Sequence, residues 1–206
     1  MRNQSPQINR RPGTAVGELA GFLLLCGLLA AAGCAGAVRP TIDQAEALNP
    51  AAVLPEIRRD LRNGDWLVAR GLTGPDHFIA AATNMPLSHA ALYDQEFDSV
   101  IEALKDGVRR TSLEKFVGKN QRILIIRPVW SNPETAPEAV ARARGWLGGG
   151  YNYTRLVGLG LPGRYYCTQL AVRAYAPDKG GPNPIPRVIA PGQMYHWGRI
   201  IYDSGA

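Results

Sequence analysis

An apolar run from Leu19 to Gly33, LAGFLLLCGLLAAAG, ends at Cys34 and divides this 206-residue chain before any folding argument can begin. The run is short for a helix that crosses a bilayer, and its last residues, Ala30 to Gly33, are all small. Arg2, Arg10 and Arg11 stand in front of it. Basic leader, apolar stretch and small-residue end follow in the order of an export signal. The expected organisation is a signal peptide over residues 1–33, a tether over 34–48 and one folded domain over 49–206. The tether shows no sustained hydrophobic pattern. The remaining chain is long enough to close around one core and short for two.

Removing the leader changes what the rest can do. The whole chain carries 23 basic and 17 acidic side chains, net +6. The leader takes three arginines and one glutamate, leaving 20 against 16. No Lys/Arg-rich block remains, which argues against a nucleic-acid partner. Three cysteines make no disulfide framework, and none has a neighbour at metal-ligand spacing. Gly158, Gly160 and Gly163 lack the following GK[ST] of a phosphate loop. No metal or organic cofactor is expected. The sequence Ala31-Ala32-Gly33-Cys34 resembles the bacterial lipoprotein processing box, with Ala31 where leucine is usual. In such a box cleavage exposes the cysteine and its thiol is lipidated. Lipidation at Cys34 would place the protein on the bacterial cell envelope. Ala35, in place of an aspartate, favours the outer membrane where there are two. Cys26 leaves with the leader, so Cys167 is the one free thiol of an exported chain. Such a thiol is a liability unless it is buried or used.

Hydrophobic period and breakers give the elements. Residues 51–62 predict a helix, 65–70 a strand, and the Gly- and Pro-containing stretch 71–87 a long loop with a helical turn. His89–Asp94 and Ser99–Leu104 predict two strands, and Asp106-Gly107 a tight turn. Thr111 with Glu114 predicts a capping box opening a short helix near 112–117. Residues 122–127 read as a buried strand stopped by Pro128. Helices are expected over 134–147 and 167–175, and a last strand within 195–203. This order predicts an α+β domain with a mainly antiparallel sheet and helices packed on it.

Three residues carry the chemistry. Cys167 starts a helix in which Leu170, Ala171 and Ala174 share its face. The free amides and positive end of a first turn favour a thiolate and an oxyanion. A small buried core cysteine fits the same pattern. His89 stands in the apolar strand Ser88–Tyr93, as a core side chain or as a functional one. Glu102 is a carboxylate inside the apolar strand Val100–Leu104, facing solvent on an edge or facing His89. If Gln95 and Glu96 form the loop, His89 opposes Glu102, Ala91 opposes Val100 and Tyr93 opposes Asp98. Directly opposed Cβ atoms lie about 4.5–5.5 Å apart. Glu102 would then fix the imidazole while its other nitrogen serves a nucleophile. His77 and His196 read as surface or packing residues. Tyr151, Tyr153, Tyr165 and Tyr166 read as core cover, with Tyr166 and Tyr151 as candidates for a substrate cleft.

From Gly64 to Asp203 the chain resembles the permuted papain-like amidase family of YiiX-type proteins, relatives of the NlpC-type cell-wall cysteine peptidases. The matching pieces are Gly64-Asp65, Ser88-His89-Ala90-Ala91-Leu92, Val100-Ile101-Glu102-Ala103 and Arg127-Pro128. Gly150-Tyr151-Asn152-Tyr153, Tyr165-Tyr166-Cys167-Thr168-Gln169-Leu170 and Ile189-Ala190-Pro191 follow in order. In this family the histidine strand precedes the nucleophile helix, the reverse of ordinary papain-like enzymes. The resemblance implies a circularly permuted papain-like, NlpC-like fold. It also implies Cys167 as nucleophile, His89 as base and Glu102 as the residue that orients His89. Asn152 stands where aspartate is frequent and Gln169 where glutamate is frequent, which bears on the substrate.

The expectation is an envelope-anchored cysteine amidase acting on a peptide, an amino-acid amide or an acyl substrate. An acyltransferase or lipid-acyl hydrolase of the same fold, and a non-catalytic envelope binding module, are the alternatives. The sequence sets no oligomeric state.

Overall fold

The computed structural model describes residues 46–154, 161–176 and 185–205. The signal peptide, Cys34 and most of the tether lie outside them. Among the described residues no helix is long and apolar enough to cross a membrane.

Helix α1 (Pro50–Asp60) is capped by Asn49, whose side chain accepts from the Ala51 amide. Its Leu54 and Ile57 are buried. Strand β1 (Trp66–Gly71) is followed by helix α2 (Gly74–Thr83), where the sequence predicts a loop. The glycine and proline that suggest a loop stand at the helix start, where proline is tolerated. The Asp76 carboxylate accepts from both the amide and the hydroxyl of Thr73. The run Phe78–Ala82 then continues as helix, and Asn84 ends it in the left-handed region at φ 50°.

Strands β2 (His89–Asp94) and β3 (Ser99–Leu104) are joined by a 3-10 turn over Gln95–Phe97 and by Asp98 at φ 41°. Strand β4 (Gly107–Ser112) forms where only a turn and a cap are expected. Leu104 pairs with Gly107, so Lys105 and Asp106 make a two-residue hairpin. Gly107 has φ +112°, and a Cβ there would meet the Gly149 carbonyl oxygen. The cap of helix α3 (Leu113–Val117) is Ser112, not Thr111; its side chain accepts from the Lys115 amide.

Strand β5 (Asn120–Pro128), helix α4 (Thr135–Arg144) and the short parallel pair β6 (Gly150–Tyr151) and β7 (Arg164–Tyr165) follow. Helix α5 (Cys167–Ala174) comes next. A 3-10 helix over Pro191–Trp197 then leads into strand β8 (Gly198–Asp203). The six-stranded sheet has the order β4-β3-β2-β1-β5-β8, antiparallel throughout.

Both faces of the sheet are covered. Leu54, Ile57, Leu67, Ala91, Val100, Phe116 and Ile123 form one apolar layer under α1 and α3. Trp66, Leu92, Ile101, Val140, Leu170 and Met194 form the other, under α4 and α5. That double burial accounts for the continuous apolar strands, which show no alternation. Trp66 is fully buried, donates from Nε1 to the Ala171 carbonyl at 3.1 Å, and meets Trp130 and Tyr175 edge-on. This links the central strand to the helix that begins with Cys167.

Candidate active site

The sheet has one end where β1 and β3 finish and β2, β4 and β5 begin. His89 is the first residue of β2 at that end, 9% exposed. Glu102 lies near the end of β3, 3% exposed, and Cys167 opens α5, 5% exposed. The three are sequestered from bulk water, where electrostatic interactions are stronger and an unpaired polar group is costly.

His89 Nε2 and Glu102 Oε2 are 2.8 Å apart. The Cys167 side chain also interacts with His89 and favours its charged form. The imidazole therefore has a carboxylate bonded to it and a thiol as a neighbour. The pairing differs from the direct opposition expected from a two-residue loop: Ala91 faces Glu102, Tyr93 faces Val100 and Asp94 faces Ser99. The turn contains four residues instead of two, which slides β3 by two positions. A shift of two keeps every side chain on its own face. His89 and Glu102 become diagonal neighbours, still within reach of long side chains.

Glu102 is fully engaged. Thr111 Oγ1 donates to its Oε1 at 2.6 Å, and Arg109 Nε approaches the same oxygen at 3.4 Å. Burial alone would raise this carboxyl. The hydrogen bonds from His89 and Thr111 and the positive charges of His89 and Arg109 outweigh burial and hold it at about 2. Burial would likewise lower His89, yet its interactions with Cys167 and Glu102 lift it to about 10. Thr111 and Arg109 are the residues that sequence reasoning misses. Thr111 reads as a helix cap next to Glu114. The signal that would reveal it is Asp106-Gly107: a hairpin there sets Val100 opposite Thr111 and Glu102 opposite Arg109.

The tyrosines divide. Tyr166 is the buried residue before α5, and its hydroxyl accepts from the Ile189 amide at 3.0 Å. Thr168 donates to the Ile189 carbonyl at 2.7 Å. Together they fasten the start of α5 to the 189–197 segment. Tyr151 is half-buried, faces Cys167 and Tyr166 electrostatically, and meets the Tyr153 ring edge-on at 4.8 Å. Its backbone pairs with Tyr165, two residues before the thiol.

Asn152 is buried, and its Oδ1 accepts from Thr154 at 3.0 Å. Gln169 is buried, and its Oε1 has no hydrogen-bond partner among the described residues. His77 accepts from Arg70 at 3.1 Å, and the His196 ring meets that of Tyr195 at 4.2 Å, tilted by 38°. Neither is bonded to His89, Glu102 or Cys167. Among the described residues no group of three or more His, Cys, Asp or Glu is placed to hold a metal ion.

An imidazole bonded to a carboxylate, with a thiol as a neighbour, can take a proton from sulfur and return it elsewhere. Residues 61–190 match the family model of permuted papain-like amidase enzymes, YaeF/YiiX, C92 family. Among solved structures, the metalloprotein yiiX from Escherichia coli O157:H7 is similar at 19% identity and a TM-score of 0.48. That match covers 56% of this chain and 65% of the other, just under two thirds of its length. A search of curated proteins gave no match.

Proposed function

Since the chain belongs to the permuted papain-like amidase family, we propose that it is an envelope-anchored cysteine amidase working through a thioacyl intermediate. The observation that supports this reading is the His89 imidazole bonded to Glu102 with Cys167 as its neighbour. Cys167 is the nucleophile, His89 moves the proton, and Glu102 orients and charge-balances His89.

In the first half-reaction the sulfur attacks the amide carbon, and the carbonyl oxygen takes up the displaced electron pair. First-turn amides of α5 stabilise that oxyanion. His89 then donates its proton to the nitrogen, the C–N bond breaks, and the amine leaves behind a thioester. In the second half, neutral His89 takes a proton from water, and the resulting hydroxide attacks the thioester carbon. Collapse expels the sulfur and releases the acid. Glu102 remains ionised throughout, as its hold at about 2 requires. The family supports an amide or peptide substrate at this general level.

Intact-mass measurement after acid quench tests the chemistry. Peptide amides should leave an acyl adduct on Cys167, and none in Cys167→Ser. An adduct from lipid acyl donors alone would move the assignment to acyl transfer. Absence of adducts with either donor class would leave a binding module. Anchoring is tested separately by metabolic lipid labelling. Cys34→Ala should abolish the label and release the protein from membranes, and unchanged labelling rejects the anchor.

A further inference from the structure

We infer that the end of the domain bearing Cys167 and His89 docks on an anionic bilayer, so that the site opens at the lipid surface. This rests on the anchoring half of the proposed function.

The first observation is where the tether arrives. The Leu48 amide donates to the Asn120 carbonyl at 2.8 Å. Asn120 begins β5 and pairs with Gly71, two positions beyond the Ala69–His89 pair. The N-terminal segment therefore joins the domain at the same end as the site. From Cys34 to Leu48 the chain can reach about 50 Å when fully extended, at about 3.3–3.6 Å per residue. A lipid on Cys34 would hold the attachment point at Leu48 within that reach of the membrane.

The second observation is what that end exposes. Phe78 on α2 is 68% exposed, Tyr153 59% and Leu161 45%. Helix α2 spans from the end of β1 to the start of β2. Tyr153 donates to the Lys105 carbonyl in the β3–β4 turn at 2.9 Å. Leu161 shortly precedes β7 and the thiol, and exposed Val188 adjoins Ile189, which Thr168 holds. Tyr153 and Leu161 each have an exposed cation close by, Lys105 and Arg164. Arg109 adds a further partly exposed guanidinium. On the acidic side, Glu46 and Asp106 are exposed, Asp203 is paired with Arg122, Asp76 is bonded to Thr73 and Ser88, and Glu102 is buried.

Scattered exposed apolar residues are ordinary on a protein surface. Here four of the nine exposed large apolar residues among those described stand at the tethered end, beside cations, while Val129, 69% exposed, stands at the opposite end. Phe97, exposed at the opposite end, is instead covered by the guanidiniums of Arg110 and Arg144 at 3.9 and 4.9 Å. Apolar tips with adjoining cations suit the headgroup boundary of an anionic leaflet.

The full, lipidated chain carrying Ala82→Cys and Cys167→Ser offers one thiol for an NBD fluorophore, one helical turn from Phe78 on α2. It is reconstituted on phosphatidylcholine vesicles with or without phosphatidylglycerol. Docking predicts a blue-shifted NBD emission, quenched by brominated acyl chains, on the phosphatidylglycerol vesicles. The same chain with Phe78→Glu and Leu161→Glu should lose both signals yet still sediment with vesicles. Sedimentation with water-like NBD emission overturns docking and leaves the anchor standing. Failure to sediment overturns both. Equal blue shift on pure phosphatidylcholine overturns the anionic preference.

Discussion

The β2–β3 hairpin buries a carboxylate near each end, and the two are satisfied by opposite means. Asp94 receives two bonds from Arg144, at 2.6 and 2.8 Å, and a third from Arg110 at 3.1 Å. Arg144 also reaches Glu96 at 2.6 Å. Guanidinium groups stay charged at any ordinary pH, so this end holds fixed charge and fixed geometry. Glu102 at the other end receives His89, Thr111 and a distant Arg109. Its chief partner is a titratable ring that also interacts with the Cys167 thiol. Burial and hydrogen bonding are alike at the two ends; only the Glu102 end has a partner that can pass a proton onward. Burial of a carboxylate thus marks a site only when its partner is titratable and has a further neighbour.

Substitutions at the two ends should separate structure from chemistry. Cys167→Ser keeps a small polar side chain and should abolish turnover by at least about 10⁴-fold while circular dichroism and melting stay close to wild type. Glu102→Gln keeps the shape but removes the charge behind His89. Turnover should fall by about 10²–10⁴-fold with little change in KM, measured by steady-state kinetics. Asp94→Asn should do the reverse. Folding stability falls by about 1–3 kcal/mol in urea titration, because both arginines lose their counter-charge, while turnover per folded molecule is retained. If Asp94→Asn cost as much activity as Glu102→Gln, the contrast between the ends would collapse.

The smallest effect is on pH dependence. Glu102 sits near 2 in the fold and near 4.5 ordinarily, so its contribution is present above 4.5 and lost as pH falls towards 2. His89 sits near 10 against an ordinary 6.5, so its contribution is full below 6.5 and lost as pH rises through 10. Melting temperature should decline along both limbs. Glu102→Gln should flatten the acid limb and bring the alkaline decline to lower pH. An acid limb unchanged in that variant would mean that the carboxylate adds nothing to the fold.

The sequence makes the strands of the site legible because both sheet faces are buried, so His89 and Glu102 stand out as polar residues in apolar runs. Cys167 at a helix start is legible from the Pro162-Gly163 break and the apolar stripe behind it. The register is not, because it depends on the turn. Phe97 and Asp98 look like strand residues, yet Phe97 rests under two guanidiniums, and Asp98 is left-handed and held by Arg58 and Tyr93. The even shift that results preserves the His89–Glu102 pair although each is paired across the strands with a different residue. Thr111 was hidden by a local competitor: a threonine three residues before a glutamate satisfies the helix-cap pattern, and long-range pairing with β3 overrides it. Helix α2 was hidden because Gly74 and Pro75 punctuate loops and helix starts alike. The cleft tyrosines could not be separated by composition, since only the bond from Ile189 marks Tyr166 as a brace.

The central claim is that His89 governs the chemistry of Cys167, and alkylation tests it directly. His89, lifted to about 10, is an imidazolium at pH 6 and faces the sulfur. Iodoacetamide reacts with thiolates. The folded wild-type protein should therefore be alkylated at Cys167 at pH 6, as read by peptide mass spectrometry, and His89→Ala should move that reaction to higher pH. Negligible alkylation at pH 6 in the folded protein, with no effect of His89→Ala at any pH, would contradict the account and make Cys167 a buried structural cysteine.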